Sequence, residues 1–261
     1  MGKKREDSFF SKNHRAQVTI FIIVAIVIVA LGILIYLLYP KIESSLGGGE
    51  ENPQTFMQNC LEENIAETVG ILSSQGGSMN PENYFLYNNE KIEYLCYTNE
   101  NYKTCIIQQP AIKKHIEKEI ENAIKEESIV CFNDMKESYQ NRGYEVQLSS
   151  GQTKVELLPK RIVTTFSSTL TLRKTNTERY EEFVIVLNNN LYELTSITES
   201  ILDWEASYGD AETTTYMNYY HDLKVEKLKQ TDGTKIYILT DRNSGNKFQF
   251  ATRSVAWPAG Y

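Results

Sequence analysis

Three hydrophobic patterns follow one another along the chain. Val18 to Tyr39 is an apolar run of 22 residues, broken only by Thr19 and Gly32. As a helix rising 1.5 Å per residue it would reach roughly 33 Å, enough for a hydrocarbon core about 30 Å thick. In lipid the backbone must satisfy itself, and a helix does so. Tyr36 and Tyr39 stand where an interfacial aromatic belt would lie, and Pro40 ends the run. After a glycine-rich and acidic stretch, a period near 3.6 begins. Met57, Leu61, Ile65, Val69 and Leu72 predict a helix over 54–74, stopped by Gly76-Gly77. Pro110 opens a second predicted helix, with Ile112, Ile116, Ile120, Ile124, Cys131 and Met135 on one stripe to about Asn141. The charged positions between Lys113 and Glu127 read as its solvated faces. Short strands are predicted at 84–87 and 91–97 around Asn88-Asn89.

From Tyr144 the period changes to two. Val155/Leu157, Leu170/Leu172 and Phe183 to Leu187 read as antiparallel strands. Asn190 and Glu193 resemble a capping pair before a helix with Leu191, Leu194, Ile197, Ile201, Trp204 and Tyr208 on its apolar face. A shorter helix over 212–222 and a meander turning at Asp232-Gly233 and Ser244-Gly245 complete the chain. The expected fold is α+β: one N-terminal transmembrane helix, then an extracytoplasmic domain of helices and antiparallel sheet. The expected divisions are a basic cytoplasmic tail (1–17), the membrane helix (18–39), a flexible linker (40–53), a helical, cysteine-containing lobe (54–143) and a β-rich lobe with two helices (144–261).

Charge sets the orientation. Residues 1–17 hold five Lys and Arg against two acids, and residues 40–261 hold 22 against 32, a net of −10. The positive flank stays inside, which places the larger part outside the cell membrane. A cleaved secretory signal fits less well, because the apolar core is long and Leu37-Leu38-Tyr39-Pro40 offers no small-residue cleavage site. The whole chain carries a net charge of −7, which argues against a basic nucleic-acid binder.

All four cysteines, Cys60, Cys96, Cys105 and Cys131, lie in the external part. An even count in an exported domain reads as disulfides. Of three connectivities, Cys96–Cys105 closing a short loop and Cys60–Cys131 joining two helices is preferred. No pair has the C-x2-4-C spacing of a zinc site.

At Asn13-His14-Arg15-Ala16-Gln17-Val18-Thr19 the sequence resembles the N-terminal signal of archaeal pilins and archaellins. That resemblance implies peptidase cleavage between Ala16 and Gln17. Gln17-Val18-Thr19-Ile20-Phe21, Cys60-Leu61, the Gln75-Gly76-Gly77 turn and Phe248-x-Phe250-Ala251 resemble single-pass, membrane-anchored surface proteins of small-genome archaea. This second likeness brings no activity with it.

Candidate chemistry is sparse. His115 and His221 belong to no mechanistic motif, and Glu199, Asp203 and Glu205 near Trp204 read as a solvated face. No nucleophile elbow, phosphate loop or cofactor motif is present, so neither cofactor nor metal is expected. Tyrosine is the one unusual count, 17 in all. Tyr84, Tyr87, Tyr94 and Tyr97 form one cluster and Tyr216, Tyr219 and Tyr220 another, as candidate contact residues for envelope proteins, glycans or copies of the chain. The function expected is a membrane-anchored surface protein with a structural or contact domain and no catalysis. The alternative is a pilin-like subunit processed after Ala16 and assembled through its apolar helix.

Overall fold

The computed structural model describes residues 27–29 and 52–256. The expected membrane span, the basic tail and the Ala16–Gln17 processing point lie outside the described residues, except that Val27–Val29 are helical. Among the described residues no helix is long and apolar enough to cross a membrane. Residues 52–261 form a compact unit of their own.

Helix α1 spans Pro53–Gln75. Pro53 sits where a missing N–H costs nothing, and the Asn52 side chain accepts from Gln54 N at 2.9 Å. Asn52 and Pro53, expected in the linker, are the cap and first residue of this helix. Met57, Leu61, Ile65, Val69 and Leu72 are all buried, as their spacing dictates. Gly76 ends the helix in the left-handed region (φ 84°) and donates to Leu72 O. A Cβ there would lie 2.9 Å from Cβ of Glu93, so glycine is required twice over.

Strands β1 (Tyr84–Tyr87) and β2 (Glu90–Tyr97) form a hairpin whose turn residues Asn88 and Asn89 both have positive φ. This is the backbone a right-twisted two-residue turn demands. Strand β3 (Ile106–Ile107) pairs with the end of β2. The long helix predicted after Pro110 is two: α2 (Ile112–Ala123) and α3 (Lys125–Asn141). They meet at Ile124, where Ser128 Oγ donates back to Lys125 O at 2.7 Å; such back-bonding bends helices. The isoleucine stripe continues through the bend, all of it buried.

Strands β4 (Glu145–Ser149), β7 (Thr169–Arg173) and β8 (Thr177–Tyr180) make one three-stranded sheet. Strands β5 (Thr153–Leu158), β6 (Arg161–Phe166) and β9 (Phe183–Asn188) make another. Helices α4 (Leu191–Tyr208) and α5 (Thr213–Tyr219) follow. Then β10 (Leu223–Lys229), β11 (Thr234–Asp241) and β12 (Lys247–Arg253) join the first hairpin in a six-stranded sheet.

The expected fold needs two corrections. No described helix is long and apolar enough to span a membrane, and the six-stranded sheet is mixed: β12 pairs with β2 in parallel, with a register shift between Ala251 and Thr252. The parallel pair joins strands about 155 residues apart, so no local turn chemistry could announce it. One hydrophobic core contains residues from both sides of residue 143, including Leu61 and Met135 with Phe183 and Phe250.

Both edges of the β5–β6–β9 sheet are closed by helix side chains. On the β9 edge, Gln54 and Gln58 of α1 act as a surrogate strand. Each amide accepts from a strand N–H, Val184 N at 3.3 Å and Val186 N at 3.4 Å, and each also donates to the carbonyl of the same residue. On the β5 edge, Glu121 of α2 accepts from Val155 N and Glu117 from Leu157 N, both at 2.9 Å. In each case an i, i+4 pair on a helix meets an i, i+2 pair on a strand, matching the two periods. Unpaired strand edges invite aggregation, and these carboxylates and amides remove them.

The cysteines pair as Cys60–Cys131, tying α1 to α3, and Cys96–Cys105, closing a nine-residue separation. Chain-entropy arithmetic gives about 4.4 kcal/mol for the long closure and about 2.6 kcal/mol for the short one.

Replacing Glu117 and Glu121 by leucine leaves two β5 N–H groups without acceptors. The expected loss is about 1–3 kcal/mol for each substitution, read as a lower urea midpoint at unchanged slope.

Candidate functional site

The α4–α5 corner is the most elaborated polar and aromatic region of the body. The buried face of α4 consists of Leu191, Leu194, Thr195, Thr198, Ile201, Leu202 and Glu205. Thr195 and Thr198 give their hydroxyl protons to Leu191 O and Leu194 O, at 2.7 and 2.9 Å. With the hydroxyls satisfied, their methyl groups pack like aliphatic ones. The helix is thereby rotated from the expected phase. Trp204 and Tyr208, predicted on the apolar face, stand in solvent at 46% and 61% exposure, with ring centroids 4.9 Å apart.

Glu205, expected on a solvated face, is fully buried. Its Oε2 pairs with Lys235 Nζ at 2.6 Å, and its Oε1 accepts from Ala211 N at 3.1 Å and from Tyr237 Oη. Lys235 also donates to Gly209 O. Asp210 receives Lys227 Nζ at 2.9 Å and Lys229 Nζ at 2.8 Å. The register explains the arrangement. Lys229 stands directly across from Lys235, and Lys227 across from Tyr237, on one face of β10–β11. Like charges directly opposite repel, and Glu205 and Asp210 are the counter-ions that hold them. Burial pushes the Tyr237 phenol far up, and the Glu205 carboxylate beside it adds to the rise, so the phenol stays a proton donor. Burial also raises Asp210, but its bonds to Lys229 and Lys227 outweigh that and keep it below the ordinary carboxylate range.

This anchor fixes the turn that follows α4. Gly209 (φ 79°) caps the helix by donating to Glu205 O at 2.9 Å. Three residues on, Glu212 caps α5 by accepting from Thr214 N at 2.9 Å and from Thr214 Oγ1. Those two bonds lower the Glu212 pKa, so it stays ionised. Tyr216 lies half-buried with Oη 2.8 Å from Ser200 Oγ, and burial raises its phenol. Tyr219 and Tyr220 stand out at 78% and 56% exposure.

Two cavities meet at that pair of rings. One, of about 370 Å³, is lined by Trp204, Glu212, Tyr216, Tyr219 and Tyr220. The other, of about 640 Å³, has Tyr219 and Tyr220 on one side and Asn190, Glu193, His221 and Asp222 among its polar lining. Glu193 does not cap α4 as expected. Its Oε1 accepts from Lys160 N at 3.0 Å and its buried Oε2 has no partner, while Asn189 Oδ1 accepts from Leu191 N at 2.9 Å in the capping role.

The first tyrosine cluster is placed differently. Tyr94 is a correction: it is 7% exposed, its Oη 2.8 Å from Thr234 Oγ1, and it belongs to a small core with Ile92, Ile236 and Ala251. Tyr87 and Tyr97 pack against that core, and Lys91 lies over the Tyr84 ring at 4.9 Å. These rings line the body of the sheet, whereas Tyr216, Tyr219 and Tyr220 line open space.

Sequence reasoning singled out His115 but not the polar cluster it belongs to. The buried Ser78 hydroxyl lies 2.5 Å from Glu93 Oε2 and 2.8 Å from His115 Nε2. Burial raises the Glu93 pKa despite the Ser78 bond that lowers it. When Ser78 donates to Glu93, the imidazole must donate to Ser78, the opposite of the proton direction a serine nucleophile needs. Glu119 meanwhile accepts from Met79 N at 2.8 Å. The cluster fastens the segment after α1 to α2. His221 lies on the second cavity, apart from it. No group of three or more His, Cys, Asp or Glu arranged to hold a metal occurs among the described residues.

No protein-family model, no curated protein and no solved structure matches this chain.

Removing one partner of the buried pair leaves an unpaired charge. Lys235→Met is expected to lower stability by about 3–5 kcal/mol, and Lys229→Met, at the exposed end, by less than about 1 kcal/mol, read from urea midpoints. Because the folded pKa of Asp210 is depressed, its contribution is full above the unfolded value near 3.9 and is lost as pH falls through the folded one. The same midpoints therefore drop on acidification in that window.

Proposed function

We propose that the chain is a membrane-anchored surface protein whose body, residues 52–256, binds an envelope component through the groove between α4 and α5. The observation that carries this reading is the Tyr219–Tyr220 ridge, two strongly exposed rings standing between two cavities on a rigid base. Tyrosine and tryptophan offer large contact area at little entropic cost, and exposed aromatics around a concavity are the usual signature of a recognition surface. Two disulfides support an oxidising, extracytoplasmic compartment. The apolar run 18–39 and the +3 to −10 charge difference on either side of it support attachment at a membrane with the body outside.

Protease added to intact cells should digest the body of the full chain, and purified residues 52–261 should bind isolated envelopes of the producing organism saturably. Tyr219→Ala combined with Trp204→Ala should weaken that binding about tenfold without moving the unfolding midpoint. Protection from protease, or binding indifferent to both substitutions, would overturn the proposal.

A further inference from the structure

The groove carries more than aromatic area, and its polar lining mixes donors with acceptors. Along the two cavities Lys160, Asn190, Thr215 and the tyrosine hydroxyls offer donors beside the acceptor carboxylates. The Glu212 carboxylate stands at one end, and the Glu193, Asp222 and Asp241 carboxylates line the larger cavity. Two serine hydroxyls nearby are already committed: Ser196 donates to Tyr192 O at 2.7 Å, and Ser200 is bonded to Tyr216. A ligand that satisfies this lining must bring both donors and acceptors distributed along its length. It must also present an apolar face to Tyr219, Tyr220 and Trp204.

Charge narrows the class further. Four carboxylates, Glu193, Glu212, Asp222 and Asp241, face the groove against the single lysine Lys160, so an anionic ligand meets net repulsion. A compact cation would pair with one carboxylate and sit on one ring, leaving the other acceptors of a 640 Å³ cavity unmet. A neutral sugar chain meets every requirement: C–H faces for the rings, hydroxyl donors for the carboxylates, and an extended shape for two cavities in series.

We propose that the α4–α5 groove is a binding site for a neutral polysaccharide, with sugar rings stacked on Tyr219, Tyr220 and Trp204 and sugar hydroxyls donating to Asp222 and Glu212 and accepting from Asn190 and Lys160. This rests on the contact reading above and names its ligand class.

The test is the binding of residues 52–261, a compact unit in its own right, to isolated envelopes before and after mild periodate oxidation, which cleaves the vicinal diols of sugars. Periodate is expected to reduce binding about tenfold. Tyr220→Ala should do the same on untreated envelopes, and Leu86→Ala, exposed on β1, should not. Raising salt from about 50 mM to about 500 mM should change the affinity less than about twofold, since no charged pair carries it. Undiminished binding to oxidised envelopes, with Tyr220→Ala still defective, would overturn the saccharide assignment and leave the contact reading standing. A large loss of affinity with salt would point to a charged ligand and overturn the neutral assignment. Absence of binding to untreated envelopes would remove both.

Discussion

Lys229 and Lys235 face each other across β10 and β11, and the arrangement of this corner follows from that repulsion. Two carboxylates must approach the pair, and both come from the end of α4: Glu205 from its last buried position and Asp210 from the residue after its glycine cap. With Lys235 buried, the cost of desolvating it is met only when Glu205 and the Gly209 carbonyl are both in place. The sheet therefore dictates where α4 ends. Ala211, whose N–H completes the Glu205 shell, then dictates where α5 begins. Trp204, Tyr216, Tyr219 and Tyr220 inherit their positions from that corner. The recognition surface proposed above would gain affinity from rings held in place beforehand, and a buried ionic contact lies behind them.

The rest of the body applies the same device more widely, with helix side chains finishing what strands leave open. Gln54 and Gln58 complete one edge of the β5–β6–β9 sheet, and Glu117 and Glu121 the other. Helix α1 is thus bound to the fold in three ways: by its apolar stripe, by its amides on β9, and by the Cys60–Cys131 bridge to α3.

Much of this was legible in the sequence wherever one local period governed. Helix α1, its glycine stop, the Asn88-Asn89 hairpin and the terminal meander all follow from spacing and turn chemistry. The cysteine pairing followed from loop length and helix placement. What could not be read was any polar residue whose partner lies far along the chain. Glu205 looks solvated until Lys235 is placed 30 residues away, and Glu117 and Glu121 look like surface charge until β5 arrives beside them. The phase of α4 failed for a related reason. Thr195 and Thr198 count as polar in a hydrophobic pattern, yet each spends its hydroxyl on its own helix and buries its methyl, which turns Trp204 outward. That turn brings Trp204 into the groove, so the candidate site includes one residue that the pattern assigned to the core. The tyrosine count pointed to it, but composition alone could not separate the buried Tyr94 from the exposed Tyr219.

The most direct test is amide hydrogen exchange at Ala211, the backbone group that joins the buried carboxylate to the start of α5. A corner held by the Glu205–Lys235 pair requires this amide to exchange only on global unfolding, as slowly as the central residues of β11. Exchange at the rate of an exposed loop would mean that the corner opens on its own, and the dependence of the groove on the buried pair would be contradicted.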